Sequence, residues 1–164
     1  MRTPYPSLIA ALIALSCTTS WAHGDEAHNS QMAAMKKEQK AWGIAGDAQA
    51  VTRTVTLSMT DAMRFEPNQI SVKKGDTVKF VIQNSGAMQH EIVIGTKKDL
   101  DAHAAMMAKF PNMEHDEPYM AHVGAGQTGT LVWTFNRAGS FDFACLIAGH
   151  YQAGMTGKIN VAAQ

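Results

Sequence analysis

The stretch FDFACLIAGHYQAGMTGKINV, Phe141 to Val161, decides how this chain is read. The segments at its two ends, Ser140 (one residue upstream) to Ala144 and Gly157 to Val161, have the composition of short strands. The loop between them carries Cys145, His150 and Met155, with four residues between the Cys and the His and four more before the Met. A thiolate, an imidazole and a thioether on one loop suit a soft, redox-active metal, and copper best. A fourth ligand, a second His, has to come from elsewhere. His90, in NSGAMQHEIVIG, is placed to supply it.

Working outward, the strand signals continue. Thr52 to Thr60 alternates Val55, Leu57 and Met59 against Thr and Ser. Ile70 and Val72 precede a Lys-Gly-Asp turn at Lys74 to Asp76, after which Val78, Phe80 and Ile82 recur at period two. His90 follows the Asn84-Ser85-Gly86 turn and opens onto a short apolar strand, Glu91 to Ile94. Gly129 to Phe135 adds another. Between these groups lies an insertion at about 96–127. Thr96 and Asp99 fit a capped helix start, and Leu100, Ala104, Met107 and Ala108 follow at helical spacing to about Lys109. The rest of the insertion is a loop rich in Pro, Gly, Met and His. Many short strands with one inserted helix predict an all-β, Greek-key β-sandwich over residues 51–164.

The chain has 164 residues, and its start reads as a signal peptide. Ser7 to Leu15 is an apolar run well short of the ~20 residues a membrane span needs. Ser20-Trp21-Ala22 offers small residues for cleavage after Ala22, which gives a periplasmic protein with no membrane span once the signal is removed. Residues 23–50 are polar and read as a flexible tail with nascent helix around Gln31 to Trp42. Cys17 leaves with the signal, so Cys145 stands alone in an oxidising compartment, a position that metal ligation protects. Fourteen basic residues balance fourteen acidic ones. No strong field therefore points to nucleic acid.

At this point the chain resembles the cupredoxins. MRFEPNQISVKKGDTVKFVIQN (Met63 to Asn84) is similar to their early strands, and Phe141 to Val161 to their last two strands and ligand loop. The resemblance spans about Thr52 to Val161. It implies a type 1 copper centre with His90 and His150 as imidazole ligands, Cys145 as the thiolate and Met155 as the axial thioether. Within that family the chain most resembles the small exported cupredoxins linked to copper tolerance in bacteria.

Seven His and eleven Met supply further soft donors. In the tail, His28, Met32 and Met35 share a face if helical, and cleavage leaves His23 at the terminus. In the insertion, His103, Met106 and Met107 fall at i, i+3 and i+4. Met113, His115, Met120 and His122 follow. These residues either bind additional copper, Cu(I) or Cu(II), or pack the insertion onto the sandwich, since Met fills gaps well. Two functions follow. One is copper tolerance by binding and redox-cycling copper; the other is periplasmic electron transfer with a redox or copper-transfer partner protein. A multicopper oxidase needs more copper domains than one Cys-bearing sandwich supplies. Cuprous oxidation is the enzymatic activity left open.

Overall fold

The structure, a computed structural model, describes residues 37–111, 113 and 115–163. The expected signal peptide and the tail residues His23, His28, Met32 and Met35 lie outside the described residues. Among those described, no helix is long and apolar enough to cross a membrane.

Among the described residues, ten strands form two five-stranded sheets. The first sheet has β1 (Ile44–Ala45), β8 (Thr128–Thr134), β5 (Thr77–Asn84), β2 (Arg53–Thr60) and β3 (Arg64–Glu66), in that order. The second has β4 (Gln69–Lys73), β10 (Thr156–Ala162), β9 (Gly139–Ala144), β6 (His90–Gly95) and β7 (Met120–Val123). The period-two residues turn inward as expected: Leu57, Met59, Ile70, Val72, Val78, Phe80 and Ile82 are all buried. They share one core, in which Leu57, Met59, Val78, Phe80 and Ile82 of the first sheet pack with Ile70, Val72, Phe143, Ile159 and Val161 of the second. Within the second sheet, Gly157 on β10 lies across from Phe143 on β9 and has no room for a side chain: an added Cβ would lie 2.1 Å from the Phe143 ring.

The inserted helix α1 (Lys97–Lys109) begins where expected. The Thr96 hydroxyl accepts the Asp99 backbone N–H, and Asp99 and Lys109 complement the helix dipole at the two ends. Leu100, Ala104 and Met107 face inward and form a second apolar cluster with Val93, Met120, Ala144 and Leu146 on the outer side of the second sheet. That layer explains why β6 is buried along its whole length.

Two expectations need correction. Folded structure begins before residue 50. Trp42 is 6% exposed, its carbonyl accepts the Trp133 indole N–H at 3.0 Å, and Ile44 and Ala45 pair with β8. One large aromatic anchor and a two-residue pairing hold a segment whose composition gives no periodic signal. The loop following α1 is also not wholly irregular, because Met120–Val123 forms β7 on the edge of β6.

Candidate metal centre

The three polar donors predicted for copper come together. His90 opens β6, and Cys145 follows the end of β9. His150 lies on the loop to β10. The imidazole Nδ1 atoms of His90 and His150 are 3.2 Å apart, and His150 Nδ1 is 3.3 Å from Cys145 Sγ. All three ligand atoms lie within 4.8 Å of one another. His90 and Cys145 are fully buried and His150 is 9% exposed.

The loop is shaped by its own backbone. The His150 N–H donates to the Ile147 carbonyl at 2.9 Å, and the Met155 N–H to the His150 carbonyl at 3.1 Å. The Cys145 N–H donates to the Met155 carbonyl at 3.1 Å, closing the loop. Gly149 and Gly154, each directly before His150 or Met155, have φ of +92° and +88°. L-residues with a Cβ disfavour that region, so glycine there lets the chain turn each following residue inward. Met155 is fully buried in the core cluster beside Cys145.

Residues outside the motif fix the ligands. Asp61, in the β2–β3 turn, lies 3.1 Å from His90 Nε2. A carboxylate accepts only, so Nε2 carries the proton and Nδ1 keeps its lone pair for a metal. Asp61 also accepts the N–H groups of Ala87 (2.7 Å) and Met88 (3.3 Å). These bonds, the Ala87 N–H first, hold its carboxyl below the usual range. Asn84 fastens the same turn: its amide donates to the carbonyls of Met88, Val123 and Gly124, and its oxygen accepts the Gly86 N–H. Arg64 donates to the Ala153 carbonyl at 3.0 Å, tying the ligand loop to β3.

The Cys145 sulfur accepts the Glu91 backbone N–H at 3.4 Å. Burial pushes its thiol up to about 12. Burial, then the neighbouring His90, lowers the His150 pKa. A thiol this hard to ionise and an imidazole this reluctant to protonate fit a cation that replaces the thiol proton and takes up the imidazole lone pair. The donor set of two imidazoles and one thiol suits copper.

The other candidate ligands divide. His103 and His115 have ring centroids 4.7 Å apart, and His122 stands 6.4 Å from His115. His103 Nε2 and both ring nitrogens of His115 are buried without a hydrogen-bond partner. The expected helical grouping with methionines separates instead: Met107 packs in the outer apolar cluster, while Met106 is 42% exposed. Met120 is in the same cluster, and Met113 packs against it. His122 lies directly across from Glu91 in the β6–β7 pairing, with Nδ1 3.0 Å from Glu91 Oε2. The oxygen is off the line of a well-formed hydrogen bond, so the contact is an ion pair by distance. The Glu91 carboxyl, above all, pushes the His122 pKa up to about 9. The sequence marks Asn84 only as part of a turn, and the supporting roles of Asp61, Glu91 and Arg64 are not read from it. Of these, only Glu91 carried a signal there, as an acidic residue inside the apolar run HEIVIG.

Residues 50–162 match the family of copper binding proteins described as plastocyanin/azurin, and the chain belongs to that family of cupredoxins. More particularly, it is similar to the copper-resistant cuproprotein CopI of Rubrivivax gelatinosus, 44% identical over 158 residues that cover 95% of each chain. CopI of Pseudomonas aeruginosa is 31% identical over 151 residues, covering 74% of this chain and 83% of that one. Among solved structures, auracyanin from Roseiflexus castenholzii superposes with a TM-score of 0.59 at 24% identity, covering 68% of this chain and 98% of its own. Auracyanin B gives 0.59 at 21% identity, covering 76% and 96%. These neighbours show the same fold. Copper is the metal this protein binds.

Proposed function

We propose that the chain is an exported, periplasmic copper-tolerance protein whose type 1 centre is formed by His90, Cys145, His150 and Met155. The observation that carries this reading is the convergence of three buried donor atoms within 4.8 Å, with Met155 buried on the same loop. The likeness to two copper-resistant cuproproteins supports the physiological half. Copper held there supplies one-electron redox chemistry. Cys145 gives up its proton on loading, and the Glu91 N–H then faces the thiolate. Asp61 keeps the His90 ring in one tautomer and orientation. Two packed sheets fix the donor atoms, so a change of charge at the centre meets little rearrangement, and burial excludes water.

Further copper is held by the His103, His115 and His122 cluster, in which His103 Nε2 and both His115 ring nitrogens are buried without partners, and by the tail donors His23, His28, Met32 and Met35. Copper collected at these sites is passed on through the central site, or gives up one electron there from Cu(I) to Cu(II) with a redox partner protein as the acceptor. The test is growth on raised copper of a host lacking the gene. The wild-type chain restores tolerance, Cys145→Ser does not, and a His28/Met32/Met35 triple substitution restores it partially. Full rescue by Cys145→Ser would exclude a role for the centre in tolerance.

One observation favours electron transfer as a second reading. Ile147 and Ala148 on the ligand loop, and Met88 at 43% exposure beside the His90 turn, give the centre an apolar rim for a protein partner. Under that reading, deletion of the gene slows electron flow to the partner and leaves copper tolerance unchanged.

A further inference from the structure

Glu91 sits at the crossing of the two metal-binding regions. Alternation along β6 sends His90 to the core face and the Glu91 side chain to the outer face. The Glu91 backbone N–H and Oε1 are hydrogen-bonded, and Oε2 is paired by distance alone. Its backbone N–H donates to Cys145 Sγ at 3.4 Å. Its Oε1 accepts the Leu146 N–H, next to Cys145, at 2.9 Å. Its Oε2 lies 3.0 Å from His122 Nδ1, on the strand paired with β6. The residue is fully buried, so water does not compete for these contacts. An acidic side chain inside a wholly buried strand is costly to maintain for packing alone.

We propose that Glu91 is a positioning residue that couples the His103–His115–His122 cluster to the Cys145 centre, so that filling the cluster changes the copper–thiolate bond. The proposal rests on the reading of that cluster as a metal site. A carboxylate on the far ring nitrogen of a metal-bound His fixes its tautomer and raises its basicity. Glu91 holds His122 through Nδ1, which leaves Nε2 as the atom for the metal; in this structure Nε2 lies 3.1 Å from the His115 carbonyl. A cation at Nε2 draws charge from the imidazole and, through it, from the Glu91 carboxyl. The same carboxyl grips the Leu146 N–H, so the pull reaches the backbone that carries the Cys145 sulfur. Loading releases the Nε2 proton to solvent and breaks its hydrogen bond to the His115 carbonyl; no electron moves, and the coupling beyond His122 acts on hydrogen-bond strength and loop position.

The experiment uses the mature chain with Cu(II) in the central site and silver(I) as a redox-silent probe for the cluster. Bound silver and the thiolate-to-copper absorption are followed together. In the wild type, silver binds without displacing copper and shifts the absorption band. His103→Ala/His115→Ala removes the cluster's share of the added silver, leaving that held by the tail donors, and abolishes the shift. Glu91→Gln keeps an acceptor for the Leu146 N–H. It weakens silver binding about 10- to 100-fold, and at saturating silver the band stays where it was. A shift that persists in saturated Glu91→Gln overturns the coupling while leaving the cluster as a site. Silver uptake that is the same in His103→Ala/His115→Ala as in the wild type overturns the cluster reading, and the coupling with it. Should Glu91→Gln not fold, His122→Ala reads the same connection from the more exposed strand. Its band, without silver, moves away from the wild-type position, and an unmoved band overturns the proposal.

Discussion

At the scale of residues, the ligands depend on neighbours that bind no metal. Asp61 is a clear case: one carboxylate orients His90 and secures the N–H groups of the turn before it. Asp61→Ala is expected to lower copper affinity about 10- to 100-fold, the usual effect of losing such a partner, measured by competition with a chelator. Gly149 makes a different demand. Its Cβ would meet nothing within 4 Å, so Gly149→Ala isolates the cost of a left-handed φ. That cost is about 1–2 kcal/mol, read by denaturant unfolding of the metal-free protein. His122 supplies the pH dependence. Its pKa rises from 6.5 to about 9 on folding. The stabilisation is therefore fully present below about pH 6.5 and is lost as pH climbs through 9. Melting temperature should fall across that interval in the wild type and fall less in His122→Ala.

At the scale of elements, legibility followed periodicity. β2, β5 and β10 carry alternating apolar residues long enough to read, and α1 has a cap and a helical stripe. β7 does not: MAHV is four residues long with a His among them, and its strand identity comes from pairing with β6. β1 has two residues, and its anchor Trp42 is recognisable only once Trp133 is placed against it. The helix is held to the sheet by few side chains, chiefly Leu100, Ala104 and Met107. Leu100→Ala should cost about 2–5 kcal/mol in unfolding free energy, the range for emptying a buried leucine site. Removal of residues through 46 deletes Trp42 and β1, and should lower the melting temperature clearly. An unchanged melting temperature would return the domain boundary to residue 50.

Across the whole molecule, the central donors were legible because three of the four proposed ligands share one short loop, and the fourth follows a turn marked by Asn84 and Gly86. The support of that site was not legible. Asp61 and Glu91 reach their partners through the crossing of strands far apart in sequence, and no spacing within the chain announces such contacts. The outer cluster was half legible. Its histidines could be listed, but their convergence depends on α1, the following loop and β7 meeting over β6. The separation of Met106 from Met107 depends on how α1 sits on the sheet. The resulting protein has a buried centre on one side of β6 and, on the other, a histidine cluster in which His103 Nε2 and both His115 ring nitrogens lack partners. That arrangement suits copper handling better than electron transfer alone.

The most direct measurement is a copper titration of the mature protein that follows total copper bound per chain and the thiolate-to-copper absorption together. The account predicts that the colour saturates at one copper per chain, that bound copper continues to rise afterwards, and that Cys145→Ser removes the colour while leaving the additional copper. Colour that survives Cys145→Ser, or its absence from the copper-loaded wild type, would contradict the assignment of the centre.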